Sequence, residues 1–237
     1  MDIFIRLVLA HLLGDYVFQT EKVYAMKHSG AAGIFAHAAI VTLCFIVMMC
    51  PYWENPLMWG FIAFNFAAHF LQDVIKLKLE GRGRYPVYGY CIDQALHILT
   101  IGLLFYTDLK DLPLPAAGAD EAIALYNNNA VVLYAIALIT ATYAGHWFIV
   151  ALKSSYFRHA PAGREGDQAY GMLERGLMLT LMMFVPYGKF ISPLVLCGRV
   201  IFPGMRERPS RELDMILSGV TGIVAGMAFS LINQVIN

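Results

Sequence analysis

Six side chains set the chemistry open to this sequence: His11 with Asp15, His69 with Asp73, and Asp93 with His97. Each pair is separated by one helical turn inside an apolar run. That spacing puts both members on one face of a helix, with side-chain bases roughly 5–6 Å apart. One divalent ion could take both as ligands, or the carboxylate could orient the imidazole. Imidazole with carboxylate suits zinc, manganese or iron, and the absence of a nearby cysteine argues against softer metals. An Asp at the centre of a membrane helix costs roughly 2.5–3.5 kcal/mol on insertion scales. A lone His–Asp pair can satisfy itself through a buried hydrogen bond; three such pairs point to a site. With His37 added from another apolar segment, the expected metal ligands are His11, Asp15, His37, His69, Asp73, Asp93 and His97. Asp15, Asp73 or Asp93 would serve as general base.

Helices must hold these residues. The chain has 237 residues, 59% of them hydrophobic and 14% charged, and its mean hydropathy is +0.59. A soluble domain carries about 25% charged residues. The expected class is all-α, a polytopic helical membrane protein with about 7–8 transmembrane helices. The apolar runs predict helices over 2–19, 33–50, 57–79, 90–107, 130–152, 169–186, 189–203 and 213–235. The seventh, flanked by Pro193 and Pro203, reads as short and re-entrant. Residues 1–107 form an N-terminal bundle, 108–129 an acidic outer linker with Pro113 and Pro115, and 130–237 the remaining helices of the same membrane domain. A net charge of zero gives no basic patch for nucleic acid. The start MDIFIR lacks a basic region and no small-residue cleavage site follows, so no cleaved signal peptide is expected. Cys44, Cys50, Cys91 and Cys197 read as small core residues, not as a disulfide framework or a thiolate zinc site.

Lys and Arg set the orientation. Lys22 and Lys27, then Lys76, Lys78, Arg82 and Arg84, then Lys153, Arg158 and Arg164, and finally Arg199, Arg206, Arg208 and Arg211 fall in alternate loops. The other loops hold only Lys110 and Lys189. The basic loops are therefore cytoplasmic and the N-terminus faces outward, with Tyr52, Trp53 and Trp59 in an outer aromatic belt. On this topology the His and Asp residues gather at one depth near the cytoplasmic side. The outer halves of the first four helices read as apolar.

AHLLGD (10–15) recurs as AHFLQD (68–73). Two helices per repeat make the repeats parallel, so the first four helices form a bundle of two helix pairs. Its interior would collect the His–Asp pairs as four-helix bundles collect metal ligands. Gln19, Gln72, Gln94, Glu174 and Arg175 are the candidate substrate-binding residues, with Arg199 a possible partner for Glu174. His28 and His159 read as loop residues and His146 as structural. Gly222 and Gly226 read as a close-packing face, a route to a homo-oligomer. Met172, Met178, Met182 and Met183 read as lipid-facing or core filler.

HLLGDYVFQ, HFLQD, DQALH and GMLER (171–175) together resemble the bacterial membrane family known as domain of unknown function 3307. The resemblance is strongest over 7–100 and returns over 168–185. It implies a multi-pass protein of the bacterial inner membrane and little chemistry, the family being uncharacterised. The chain departs late, where LCGRVIF carries Cys197 and Gly198 in place of a lysine-containing stretch. His- and Asp-bearing apolar helices are also remotely similar to inner-membrane metal-dependent hydrolases, whose His–Ser pairs are missing here.

The expected function is metal-dependent hydrolysis of a lipid-linked or amphiphilic ester or phosphoester, among membrane lipids and at the cytoplasmic leaflet. The ion would be zinc first, manganese or iron otherwise. One alternative is a proton- or cation-coupled transporter or channel, which would need polar residues continuing to the outer side. The other is a scaffold or interaction subunit whose His–Asp pairs are structural.

Overall fold

The computed structural model describes residues 1–79, 86–116, 118–156, 165–201 and 211–236. Arg82, Arg84, Arg158, His159, Arg164, Pro203, Arg206 and Arg208 lie outside the described residues, as do the side chains of Arg199 and Arg211. Among the described residues there are helices and turns and no strand. Helix α1 is Asp2–Leu12 and runs on into a π-helical turn, Leu13–Val17; α2 is Glu21–His28, α3 Ala31–Met48, α4 Pro56–Leu79 and α5 Pro86–Gly102. Then come α6 Glu121–Asn127 and α7 Asn129–Ile139, a second π-helical turn Thr140–Ala144, and α8 Gly145–Tyr156. The last are α9 Glu165–Phe184, α10 Gly188–Ile191, α11 Gly198–Ile201 and α12 Arg211–Ile236.

The predicted helices are present, with three differences. The first stops at Val17, so Gln19 does not continue the helical face of His11 and Asp15. Two short helices, α2 and α6, lack the apolar periodicity that marks the others and are started by polar caps instead. The Thr20 hydroxyl accepts from Val23 N–H at 3.4 Å, and the Asp120 carboxylate accepts from Ala122 N–H and Ile123 N–H. Such caps satisfy the free amides of a first turn. In α2, Glu21 at the start and Lys27 and His28 at the end also suit the helix dipole. Finally, the seventh predicted helix is broken: a 3-10 turn, Ser192–Cys197, with Pro193 near its start, separates α10 from α11.

Three helical stretches are long and apolar enough to cross a membrane: Ala31–Met48, Pro86–Tyr106 and Asn129–Tyr156. Asp2–Val17 with Glu21–His28 makes a fourth if this pair, bent by 86°, counts as one span. Their outward faces are apolar, with Leu43 and Val47 on α3, and Ile92 and Leu99 on α5, all exposed. The cysteines follow this pattern. Cys50, Cys91 and Cys197 are exposed and are not core residues, whereas Cys44 is half-buried and packs against the core. A small apolar side chain is as compatible with an outward apolar face as with an interior.

The chain divides into two compact units, one of Met1–Arg84 and Tyr88–Ile136, the other of Tyr85–Val87 and Ala137–Asn237. In the first, α3 packs on α1, α2 and α4. Its apolar core joins Ile3, Leu7 and Ala10 of α1 to Val41, Phe45 and Met49, to Met58, Phe61 and Ile62 of α4, and to Ile101 and Leu104. The stretch expected as an outer linker folds onto this core. Leu109 is fully buried in it, and the Tyr52 hydroxyl donates to Pro113 O at 3.0 Å. Buried Arg6 donates to Tyr126 O and to Asn129 Oδ1. A buried guanidinium needs acceptors, and these segments supply them. Trp53 and Trp59, exposed, have rings 6.3 Å apart at the α3–α4 turn.

Gly33 allows the close approach of α2 and α3, since a Cβ there would overlap the carbonyl of Met26. Gly33→Ala must push α2 away, and the expected cost is about 1–3 kcal/mol, as for overpacked cores. Thermal unfolding of the detergent-solubilised protein, with limited proteolysis of residues 21–30, checks this. In the second unit α12 packs on α9. Gly222 and Gly226 face Met178 and Met182, so the glycine face and part of the methionine cluster pack against each other within the chain.

Candidate metal centre

The core and the polar residues occupy successive turns of the same helices. In α1 the core positions Ile3, Leu7 and Ala10 are followed by His11, and the π turn then carries Asp15. In α4, Met58, Phe61 and Ile62 are followed by Asn65, His69 and Asp73. In α3 and α5 the order is reversed, with His37 preceding Val41 and Phe45, and Asp93 and His97 preceding Ile101 and Leu104. The three His–Asp pairs and His37 therefore meet at one end of the apolar core, all of them buried.

His37 Nε2 lies 3.0 Å from Asp15 Oδ1, 3.2 Å from His69 Nε2 and 3.6 Å from Asp73 Oδ2. His69 Nε2 lies 3.5 Å from Asp15 Oδ1 and 3.4 Å from Asp73 Oδ2. His97 Nε2 is 3.5 Å from Asp93 Oδ1, and His11 Nε2 is 3.9 Å from Asp15 Oδ2. The His69 and His97 rings stack with centroids 4.3 Å apart. So many carboxylate oxygens and ring nitrogens in one buried place need positive charge.

Two lysines provide part of it. Lys27 Nζ stands 2.6 Å from Asp73 Oδ1, and Lys76 Nζ stands 2.7 Å from Asp93 Oδ2. Both read from sequence as loop cations. Lys76 had a local signal, being three residues beyond Asp73 on the same helix face; Lys27 had none, because its place depends on α2. Asp15 forms no direct ion pair with a lysine or arginine among the described residues. It meets imidazoles and the Gln94 amide, whose Nε2 donates to Asp15 Oδ2 at 3.3 Å and to Asp93 Oδ2 at 3.1 Å. Beside Asp15, the hydroxyls of Tyr16 and Tyr90 are 2.6 Å apart.

These residues fit a divalent ion of the zinc, manganese or iron type. The donors are imidazole nitrogens and carboxylate oxygens. Three groups, His11–Asp15–His69, His37–His69–Asp73 and Asp73–Asp93–His97, each bring one ligand atom per residue within 4.8 Å of the others. His11 Nε2 and His97 Nε2 are buried with no hydrogen-bond partner, which is costly for atoms that could otherwise accept or donate.

The remaining expected residues have other surroundings. Gln72 Nε2 donates to Thr100 Oγ1 at 2.8 Å, tying α4 to α5. With Asn65 and Thr100 it lines a small cleft that also touches His11, His69 and His97. Asn65 and Thr100 break the expected apolar outer halves. Asn65 is tolerated in its apolar run because its side chain is satisfied locally, donating to Phe61 O at 2.9 Å. Gln19 is half-buried just past the π turn. Glu174 and Arg175 are buried in the second unit. There Arg175 donates to Ala141 O at 2.7 Å and Thr142 O at 3.0 Å. Both carbonyls belong to the second π turn. The Arg175 guanidinium also bonds Ser218 Oγ at 3.1 Å.

Fold and site together define an all-helical protein with a buried histidine, aspartate and lysine centre inside an apolar bundle. Residues 3–113, which take in every member of that centre, match the family described as protein of unknown function (DUF3307), and this part of the chain is that uncharacterised domain. No curated protein and no solved structure matches the chain.

Proposed function

We propose that this is a polytopic protein of the bacterial inner membrane, with its N-terminus outside, that hydrolyses a lipid-linked or amphiphilic ester or phosphoester at a metal centre facing the cytoplasm. The observation that carries the reading is the convergence of four histidines and three aspartates, with His11 Nε2 and His97 Nε2 buried and without a hydrogen-bond partner. A divalent ion held there supplies Lewis acidity and lowers the pKa of water to about 7. Asp15, the carboxylate without a lysine, takes the proton of the attacking water. The water oxygen bonds to the carbonyl carbon or phosphorus, the ester C–O or P–O bond breaks, and the proton passes to the leaving alkoxide. Gln94 holds Asp15 and Asp93 in register. Lys27 and Lys76 place positive charge beside the site, which suits an anionic head group. The exposed apolar faces of α3 and α5 support a lipid surround, because soluble monomers rarely expose large contiguous apolar patches.

Asn65, Gln72 and Thr100 favour a second reading, a proton or cation path leading away from the cluster. Against it, the polar line ends at the packed core of Phe45, Phe61, Ile101 and Leu104, which supports a dead-end pocket. The test is hydrolysis of p-nitrophenyl esters and phosphates, and of a lipid phosphate in mixed micelles, by tag-free purified protein. Chelator-sensitive release restored by zinc, manganese or iron is expected. Protein without bound metal and without hydrolysis, but with cation flux into liposomes, would replace the first reading by the second.

A further inference from the structure

We propose that the centre holds two divalent ions per chain, at neighbouring sites that share no residue. His11, Asp15 and His69 form one, and Asp73, Asp93 and His97 form the other. This rests on the metal-binding reading above and deepens it. Within each set the ligand atoms lie within 4.8 Å of one another. A tetrahedral zinc with ordinary bond lengths separates its ligands by roughly 3.4 Å, so each set needs a contraction of up to about 1.4 Å.

The central combination, His37–His69–Asp73, meets the same distance condition. It takes one residue from each of the other two sets, so a single central ion excludes the two-ion arrangement. The unpartnered atoms decide between them. Two buried ring nitrogens without a hydrogen-bond partner, His11 Nε2 and His97 Nε2, fall one in each outer set, against one, His37 Nδ1, in the central set, so the two-ion arrangement satisfies more of them. The two sets are also joined. His37 Nε2 is 3.0 Å from Asp15 Oδ1 and 3.6 Å from Asp73 Oδ2, touching one carboxylate of each. Gln94 Nε2 reaches Asp15 Oδ2 and Asp93 Oδ2. The stacked rings of His69 and His97 come from different sets.

The lysines make the two sites unequal. Lys27 and Lys76 pair with Asp73 and Asp93, both in the second set. An ion entering the first set displaces no cation, whereas one entering the second competes with two ammonium groups. The first site fills at lower metal concentration.

The test uses the full-length protein in detergent, stripped with chelator and titrated with Mn2+ or Zn2+ alone. Binding of about two ions in two steps is expected, with a spin-coupled signal for the manganese-loaded protein, as neighbouring ions in two-metal sites give. His11→Ala should lose the tighter step and His97→Ala the weaker one. A single ion that survives both substitutions and disappears in His37→Ala overturns the inference in favour of a central site. Two ions with uncoupled spectra overturn the adjacency. One ion with hydrolysis intact sinks the inference and spares the functional reading, while no ion at all sinks both. The spectrum of the unsubstituted protein is decisive even where a variant fails to fold.

Discussion

Asp15→Asn should lower hydrolysis by about 10²–10⁴-fold, the usual effect of losing a general base. Asn keeps the shape of the side chain and removes its charge and basicity. Under the proposed mechanism this role falls to Asp15 because Asp73 and Asp93 each already face a lysine, at 2.6 Å and 2.7 Å. A carboxylate held by an ammonium group is a poor proton acceptor. Asp15 instead faces His37 Nε2 at 3.0 Å and His69 Nε2 at 3.5 Å. Because Asp15 is also a candidate ligand, metal content is measured on the same preparation. Loss of activity with metal retained assigns the proton-transfer role; loss of both assigns a ligand role. Full activity in Asp15→Asn would take Asp15 out of the reaction.

The second large effect concerns stability. Asp73→Ala is expected to destabilise the protein by about 3–5 kcal/mol, because it leaves a buried charge without its partner. The Asp73 side chain is 0% exposed and that of Lys27 is 7% exposed. Removing the carboxylate strands the Lys27 ammonium between α2 and α4. The double variant Lys27→Met with Asp73→Leu removes both charges and should recover most of the loss, since apolar replacement of a whole buried pair is often neutral. Denaturant unfolding in detergent, run on both single variants and the double, measures the coupling. A single variant as stable as the parent would mean that the ion pair contributes nothing.

Much of the centre was legible in the sequence because its pairs are local. A His and an Asp one turn apart need only a helix to come together, and the apolar runs around His11, His69 and His97 gave the helices. Their meeting across helices followed from the recurrence of AHLLGD as AHFLQD. Lys27 was not legible: its pairing with Asp73 depends on a short helix announced by a cap at Thr20 and not by periodicity. Lys76 counted toward orientation, although its spacing from Asp73 placed it on the same face. Asn65, tolerated in its apolar run by a bond to its own helix, was not legible either. The folding of 108–129 onto the core was invisible because it answers a need of Arg6 far along the chain. The π turns leave no mark that a count of apolar residues can detect, since neither contains a proline and each continues a helix.

The first of those turns, Leu13–Val17, makes chain length a constraint as strict as residue type. Successive residues of an α-helix are rotated by about 100° about its axis, and a π turn absorbs an additional residue within one wide loop. Deleting Leu13 or Gly14 would remove the additional residue and close the wide loop. Asp15 would then stand three residues after His11 instead of four, away from the position in which it meets His37 and His69. Substitution at the half-buried Leu13 or Val17 changes only what those positions touch, whereas a one-residue deletion ahead of Asp15 would take its carboxylate out of the centre.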